Sequence, residues 1–490
     1  MKKTLALLLA AMLLMTGCSE SNNNENENGT NESSSEETTS STTGSEESES
    51  ETEETIPAPE LPADIDWGGE LFNIIYPYWS LYEKYLTSDE LIGDAVNDAM
   101  FLRNETVEDK LNVELSFINK GAIGGMYGEI KTNVTSGDSS YGMAVLHCIE
   151  GLPGLLSDNL IYDWNKIPYV DLTKPYWNSS ILEQLTIDGV TPFAASDLLI
   201  ADPNVIWFNN DIATDMGIGN LYDIVFEGKW TLDEMIKLCD KVVVDLDGDG
   251  EMTDKDQYGI CGNLGWNLDS FQQGCGQYIA EFVDGVPQIA IQTEKMKSIV
   301  DKVYALCMEG NRGYVKSEID DRYIPFETYH ALFYFQSLSS MERYRDTNVD
   351  YGIIPYPKYD EAQKEYLSLN WTGLQCIPVS CKNIELAGMV AEELGYENKK
   401  SVLPTYFDQL LDGKIARHDE TRAMLDIIFD NCVYDFGLNF SNQRNFLQTI
   451  PDLLKEDSTD LSSYVNKNLK VAKKVYERII SDFAKLGKQD

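Results

Sequence analysis

The sequence predicts an α/β protein built from two lobes. Three observations lead there. The part from residue 66 to residue 490 is too long for one ordinary hydrophobic core. Residues 71–146 alternate strand, helix, strand, helix, strand, which implies right-handed crossovers and a parallel sheet. From residue 191 a second block of strands and helices begins in the same style.

In the first block, LFNIIYPYW (residues 71–79) is apolar and ends in aromatics, as a buried strand does. Residues 92–111 form an amphipathic helix, with Val96, Ala99, Met100, Val107 and Leu111 at helical spacing. Strand 113–118, helix 126–134 and strand 141–146 follow; a helix starts at 152–156 and 160–165 is strand-like. In the second block, 191–195 and 205–209 read as strands. Residues 230–243 read as a helix with Thr231 as N-cap and Glu234 completing a capping box. Strand 258–262, helix 298–308 and strand 329–335 come next. Residues 351–357 end in prolines, marking a crossing or edge segment. Residues 367–379 return to apolar strand character. From residue 384 the chain is mostly helical, as at 423–429 and 469–483.

The first residues predict export. A charged MKK precedes a short apolar run, LALLLAAMLLM, which is a signal-peptide core and too short for a membrane span. MTGC at residues 15–18 resembles a bacterial lipobox. That resemblance implies a signal peptide over residues 1–17, cleavage before Cys18, and acylation that tethers the chain to the cell membrane, since several acyl chains anchor stably. Residues 18–62 are rich in Ser, Thr, Asn and Glu, and residues 19–60 lack Lys and Arg. This composition cannot offset chain entropy by burial, so it predicts a disordered acidic stalk.

A formal net charge of −44 argues against nucleic acid or anionic lipid surfaces as partners. With Cys18 acylated, eight of the nine cysteines remain. None has paired metal-ligand spacing, and most sit in apolar contexts, which favours buried thiols; export leaves disulfides open.

The stretch DLDGDGEMTDKD (residues 245–256) has EF-hand loop spacing. Asp245, Asp247 and Asp249 offer carboxylates, Glu251 its carbonyl and Thr253 a direct or water-mediated contact. Asp256 closes the ring, and Gly250 permits the sharp turn. Asp replaces the usual Glu at the last position, the exit reads as a strand, and there is one loop where sensors carry pairs. A structural Ca²⁺ is favoured over an unliganded acidic turn, and the helix pair that a calcium sensor opens is missing.

Five stretches together resemble one family. They are GDAVNDAMFLRNETVEDKLNV, IPYVDLTKPYWNSS, GKWTLDEMIKLCDKV, DLDGDGEMTDKDQYGI and YGIIPYPKYDEAQKEYLS. In this order they resemble the extracellular solute-binding proteins of bacterial ABC importers, of the sugar-binding type that includes maltose-binding protein. The resemblance implies a periplasmic-binding-protein-like fold: two α/β lobes, a hinge of strands crossing between them, and an interlobe ligand cleft. Lobe I would hold residues 66–192 plus about 370–402, and lobe II about 193–369 plus about 403–490. The crossings would be TPFA at 191–194, LSLNWT at 367–372, and a third near Leu403. The resemblance also implies a monomer working with ABC permease subunits on the outer face of the membrane, without a catalytic cofactor.

Parallel α/β sheets bind ligands at the carboxyl ends of their strands. Strand ends nominate Tyr76, Tyr78, Trp79, Glu150, Asp197, Asp202, Trp266, Asn267, Asp269, Gln336, Asn370 and Trp371, with His147 beside them. Aromatic faces stack on the C–H faces of a sugar while carboxylates and amides meet its hydroxyls. The set therefore favours a carbohydrate over an amino acid. Tyr76 and Trp79 suit core packing as well as a ligand wall, and His147 a buried structural role. Two alternatives remain: a surface lipoprotein that binds or senses carbohydrate without transport, and a lipid-anchored glycosidase. The chain has no HExxH, GxSxG or phosphate-binding GxxxxGK.

Overall fold

A computed structural model describes residues 56–316, 324–344, 349–371, 373–411, 420–440 and 446–488, except the side chains of Trp266, Glu342, Arg343 and Leu411. The signal peptide, Cys18 and most of the stalk lie outside the described residues.

The strands are β1 (Glu70–Tyr78), β2 (Val113–Ala122), β3 (Tyr141–His147), β4 (Asn204–Asn209), β5 (Tyr258–Asn263), β6 (Ala280–Val283), β7 (Val286–Ile289), β8 (Gly313–Lys316), β9 (Ala331–Ser337), β10 (Tyr351–Ile354), β11 (Ser368–Leu369), β12 (Gly373–Cys376) and β13 (Cys432–Val433). They form two main sheets. The first has the order β12-β3-β1-β2. Its β1 runs parallel to both β2 and β3, with Ile75 opposite Ile118 and Ala144, as the strand–helix alternation predicts. The second has the order β10-β4-β9-β5-β8. Here β5 is parallel to β8 and β9, whereas β4 runs antiparallel to β9 and β10.

The burial pattern explains the strand sequences. In β3 and β4 every residue is buried. Both therefore read as continuous apolar runs, the signature of strands covered on both faces. Each sheet organises its own hydrophobic cluster: Ile74, Ile75 and Met143 to Leu146 in one, Val205 to Phe208 and Leu332 to Phe335 in the other.

The elements between the lobes differ from expectation. Residues 191–195 are not a strand; Ala194 makes an isolated antiparallel bridge to Gln375. The apolar run 367–379 splits into β11 and β12, because Asn370 and Trp371 leave the sheet line between them. The third crossing is helical. Helix Ile384–Glu397 continues through a π turn at Asn398–Val402 into helix Leu403–Leu411. Residues 160–165 give an isolated bridge at Ile161 and a short 3₁₀ turn at Trp164–Lys166 in place of a strand.

Sequence division at residue 403 does not match the packing of the C-terminal helix Leu461–Leu486. Its Val465 and Ala472 join the second sheet's cluster, while Tyr476, Ile479, Phe483 and Leu486 join the first sheet's. Twenty-six residues of helix span about 39 Å, which is long enough to serve two cores. Among the described residues, no helix is long and apolar enough to cross a membrane.

Candidate functional site

Four parallel strands point their carboxyl ends at one cleft of about 450 Å³. From the first sheet, β1 delivers Trp79 and β3 delivers His147. From the second, β9 delivers Gln336 and Ser337, and the turn after β5 delivers Asn267. Asp202, just before β4, and Trp371, in the gap between β11 and β12, line the same space. The site thus draws on both sheets and on the connections between them.

Its aromatic wall is ordered by mutual packing. The Trp79 ring meets His147 edge to face, with centroids 4.7 Å apart, and meets Tyr82 at 5.0 Å. The Trp371 ring lies 6.1 Å from His147 with 30° between planes. Burial pushes the His147 imidazole down to about 4, so it is neutral at physiological pH. The Ile149 N–H sits 3.4 Å from Nδ1, consistent with an acceptor there and the proton on Nε2.

The polar wall is a chain of amides and hydroxyls. Asn267 Nδ2 donates to Asn204 Oδ1 at 2.8 Å, and Asn204 Nδ2 donates to Ser270 Oγ at 2.7 Å. Gln336 Oε1 accepts from Ser337 N at 3.0 Å. Asp202 accepts from both the backbone N–H and the hydroxyl of Ser339, each at 2.8 Å. Burial pushes its carboxyl up to about 6, partly offset by those donors.

Five of the nominated ligand residues line this cleft: Trp79, Asp202, Asn267, Gln336 and Trp371, together with His147. The side chain of Trp266 lies outside the described residues. The rest sit elsewhere, each for a visible reason. Tyr76 is buried and packs on Tyr82 in the first core. Tyr78, at the end of β1 past a register shift in its pairing with β2, is 58% exposed. Glu150 is fully buried and accepts from the N–H groups of Gly124 and Met126 at the start of helix Met126–Ser136, its pKa raised by burial against those bonds. Asp197 pairs with Lys399 at 2.9 Å, its pKa raised by burial despite the ammonium. Asp269 is buried against Ile450 N. Asn370 supports the site from behind: Oδ1 accepts from Asp202 N and Nδ2 donates to the Tyr434 hydroxyl, both at 2.8 Å.

Residues that sequence reasoning missed are Ser80, Ile123, Ile149, Ser337, Ser339 and Ser340. The signal for the serines was present. QSLSS at residues 336–340 is a small polar run directly after a fully apolar strand. Ile123 and Ile149 stand on loops and carry no comparable signal.

The acidic loop lies between helix Leu232–Val242 and β5, away from the cleft lining. Asp245, Asp247 and Asp249 each bring a carboxylate oxygen within 4.8 Å of the others. Gly250 takes the positive φ of 86° that the turn needs. Asp256 is turned to its own loop, accepting from Leu246 N at 2.9 Å and Thr253 N at 2.7 Å; these bonds hold its carboxyl below the usual range. Asp245, Asp247 and Asp249 are close enough together to share a divalent cation, while each also accepts from the loop's backbone, Asp245 from Gly248 N and Gly250 N, Asp247 from Asp249 N and Asp249 from Glu251 N.

No family model and no curated relative matches the chain. Solved structures do. An ABC substrate-binding protein from Listeria monocytogenes in complex with cycloalternan aligns over 83% of this chain and 99% of its own, at 11% identity and a TM-score of 0.56. The maltose/maltodextrin-binding domain of Bdellovibrio bacteriovorus, bound to maltotriose, aligns over 86% of this chain and 100% of its own, at 13% identity and a TM-score of 0.52. The fold is that of ABC-transporter solute-binding proteins. An ABC solute-binding protein from Thermotoga lettingae bound with α-D-tagatose gives 13% identity over 85% of this chain and 100% of its own, with a TM-score of 0.51. In this solute-binding fold, the cleft described above joins residues from both sheets.

Proposed function

We propose that the protein is the extracellular, lipid-anchored binding component of an ABC importer, capturing a carbohydrate between its lobes and delivering it to a permease without chemical change. One observation carries the reading. Trp79 and Trp371 line one cleft, each with its ring beside a neutral His147, together with amides, serines and one carboxylate. Such a site stacks sugar faces and pairs their hydroxyls. The solute-binding fold and the sugars held by the neighbouring structures support it. The anchor rests on the MTGC motif and the acidic spacer after it.

The acidic loop belongs to the same reading as a structural Ca²⁺ site. Asp245, Asp247 and Asp249 would hold the ion, which would supply positive charge to offset three neighbouring carboxylates and pin the connection into β5.

A thermal-shift screen of mono- and oligosaccharides tests the function. A sugar that raises the melting temperature and is recovered unaltered supports it. Turnover of a bound sugar, or no shift with any sugar while another solute class stabilises the protein, overturns it.

A further inference from the structure

The charge inventory of the cleft is one-sided. Among its described lining residues Asp202 is the single charged side chain, with no Lys or Arg beside it. Asp202 is 4% exposed. Its two oxygens each accept one hydrogen bond from Ser339, and among the described residues no cation pairs with it. A buried carboxylate held only by neutral donors retains most of its desolvation cost. A ligand cation entering the cleft would relieve that cost.

The aromatic wall favours the same charge. The faces of two indoles attract ammonium groups through the ring quadrupole, and tryptophan does so best. His147, in ring contact with both, is neutral and buried, so it neither repels a cation nor replaces one. The chain as a whole carries a formal −44, which concentrates cations and repels anionic solutes. Among the described lining residues, an acidic sugar would meet Asp202 with no guanidinium or ammonium to pair with.

Resting on the carbohydrate reading above, we propose that the cleft selects a sugar bearing a protonated amine, such as a hexosamine with a free amino group. Asp202 is the specificity-determining counterion, and Trp79 and Trp371 provide the π walls. Ser339 is a positioning residue that fixes the carboxylate, and the amide and serine wall meets the hydroxyls.

The test is calorimetric titration of the full chain with four disaccharides at about pH 6.5, below the range of an aliphatic amine. They are the β-1,4 glucosamine dimer, its N-acetylated form, cellobiose and a uronic-acid disaccharide. The glucosamine dimer is expected to bind at least about tenfold tighter than cellobiose, as a charge-assisted hydrogen bond requires. The uronate should bind most weakly. Asp202→Asn should bring the ratio of glucosamine-dimer to cellobiose affinity down to about one, whatever it does to the affinity for either sugar. Equal or tighter binding of cellobiose or the uronate by the unaltered protein overturns the inference and leaves the carbohydrate reading intact. So does an amine advantage that survives Asp202→Asn. Silence from all four overturns the inference, and the wider sugar screen then decides the function separately. The comparison on the unaltered protein stands even if the variant folds poorly.

Discussion

Ser339 holds Asp202 twice, through its backbone N–H and its hydroxyl, each at 2.8 Å. These donors and the Ser337 hydroxyl favour the charged carboxylate, yet burial dominates and pushes the group up to about 6 from 3.8. Between those values the folded protein keeps a proton that the unfolded chain has released. Asp202 therefore favours the folded state most at low pH, and that contribution is lost as pH rises through about 6. His147 acts in the opposite sense. Its imidazole is held down to about 4 from 6.5, so its contribution is present above that window and lost as pH falls through it. Comparing Asp202→Asn with the parent isolates the first effect. The variant should gain stability relative to the parent between about pH 4 and pH 7, by on the order of 2–3 kcal/mol. Melting temperatures of both proteins across that range check it; a constant difference would show that Asp202 titrates normally.

Trp371 stands where the chain steps out between β11 and β12, and it is 8% exposed. It borders the cleft while also joining the second sheet's hydrophobic cluster. Trp371→Ala should abolish the sugar-induced rise in melting temperature and also destabilise the free protein by about 3–5 kcal/mol, because a large buried ring is lost. Trp371→Phe keeps much of the packing with a smaller π face. It should fold well and bind the sugar roughly five- to tenfold more weakly. Full ligand shifts in both variants would remove Trp371 from the site.

The parallel core of the first lobe was legible because β3 is buried throughout, β1 is largely apolar, and the buried Val96, Met100, Val107 and Leu111 recur at helical spacing. Nothing competes with periodicity in residues 71–146. The crossings were less legible. In 367–379, Asn370 and Trp371 are polar-capable residues inside an apolar run, and their roles behind and within the cleft break the strand. Residues 191–195 hold an extended line through one bridge to Gln375, which leaves no pattern distinct from a strand. The candidate site was read from strand ends, and strand ends at Trp79, His147 and Gln336 do line the cleft. The acids Glu150 and Asp197, also near strand ends, instead serve a local backbone and a lysine and do not line the cleft. Sequence spacing alone does not separate a carboxylate that meets a ligand from one that caps a helix.

The acidic loop makes a separate prediction. If Asp245, Asp247 and Asp249 hold Ca²⁺, chelation should lower the melting temperature while leaving the order of sugar affinities unchanged, because the loop is not part of the cleft lining. Asp247→Asn should weaken the response to added Ca²⁺. Asp256→Ala should lower stability with or without Ca²⁺, since it strips the acceptor from Leu246 N and Thr253 N. Equal melting temperatures in Ca²⁺ and in chelator would make the loop an acidic turn held by its own hydrogen bonds.

The helical crossing is tied down at its π turn. Arg103 is buried and has no carboxylate partner among the described residues; burial pushes its guanidinium down to about 9, which still leaves it charged at neutral pH. Its charge is spread over neutral acceptors: Asn104 Oδ1 at 2.7 Å, the Leu86 carbonyl at 2.8 Å and Asn398 Oδ1 at 2.6 Å. Asn398, in the π turn, donates in turn to the Asp197 carbonyl at 2.6 Å. One amide thus joins helix Ala95–Leu111, the turn between two helices, and the segment leading out of the first crossing. Asn398→Ala would leave a buried guanidinium N–H and a backbone carbonyl without this partner, at a cost of about 1–3 kcal/mol. Asn398→Asp would return an acceptor and add a counter-charge for Arg103, but it loses the N–H donated to Asp197. The alanine variant should therefore melt lowest. Because the turn lies in the connection between the two cores, sugar affinity should also change in it, although Asn398 does not line the cleft. Parent-like melting and parent-like affinity in Asn398→Ala would mean that the crossing is held by apolar packing alone.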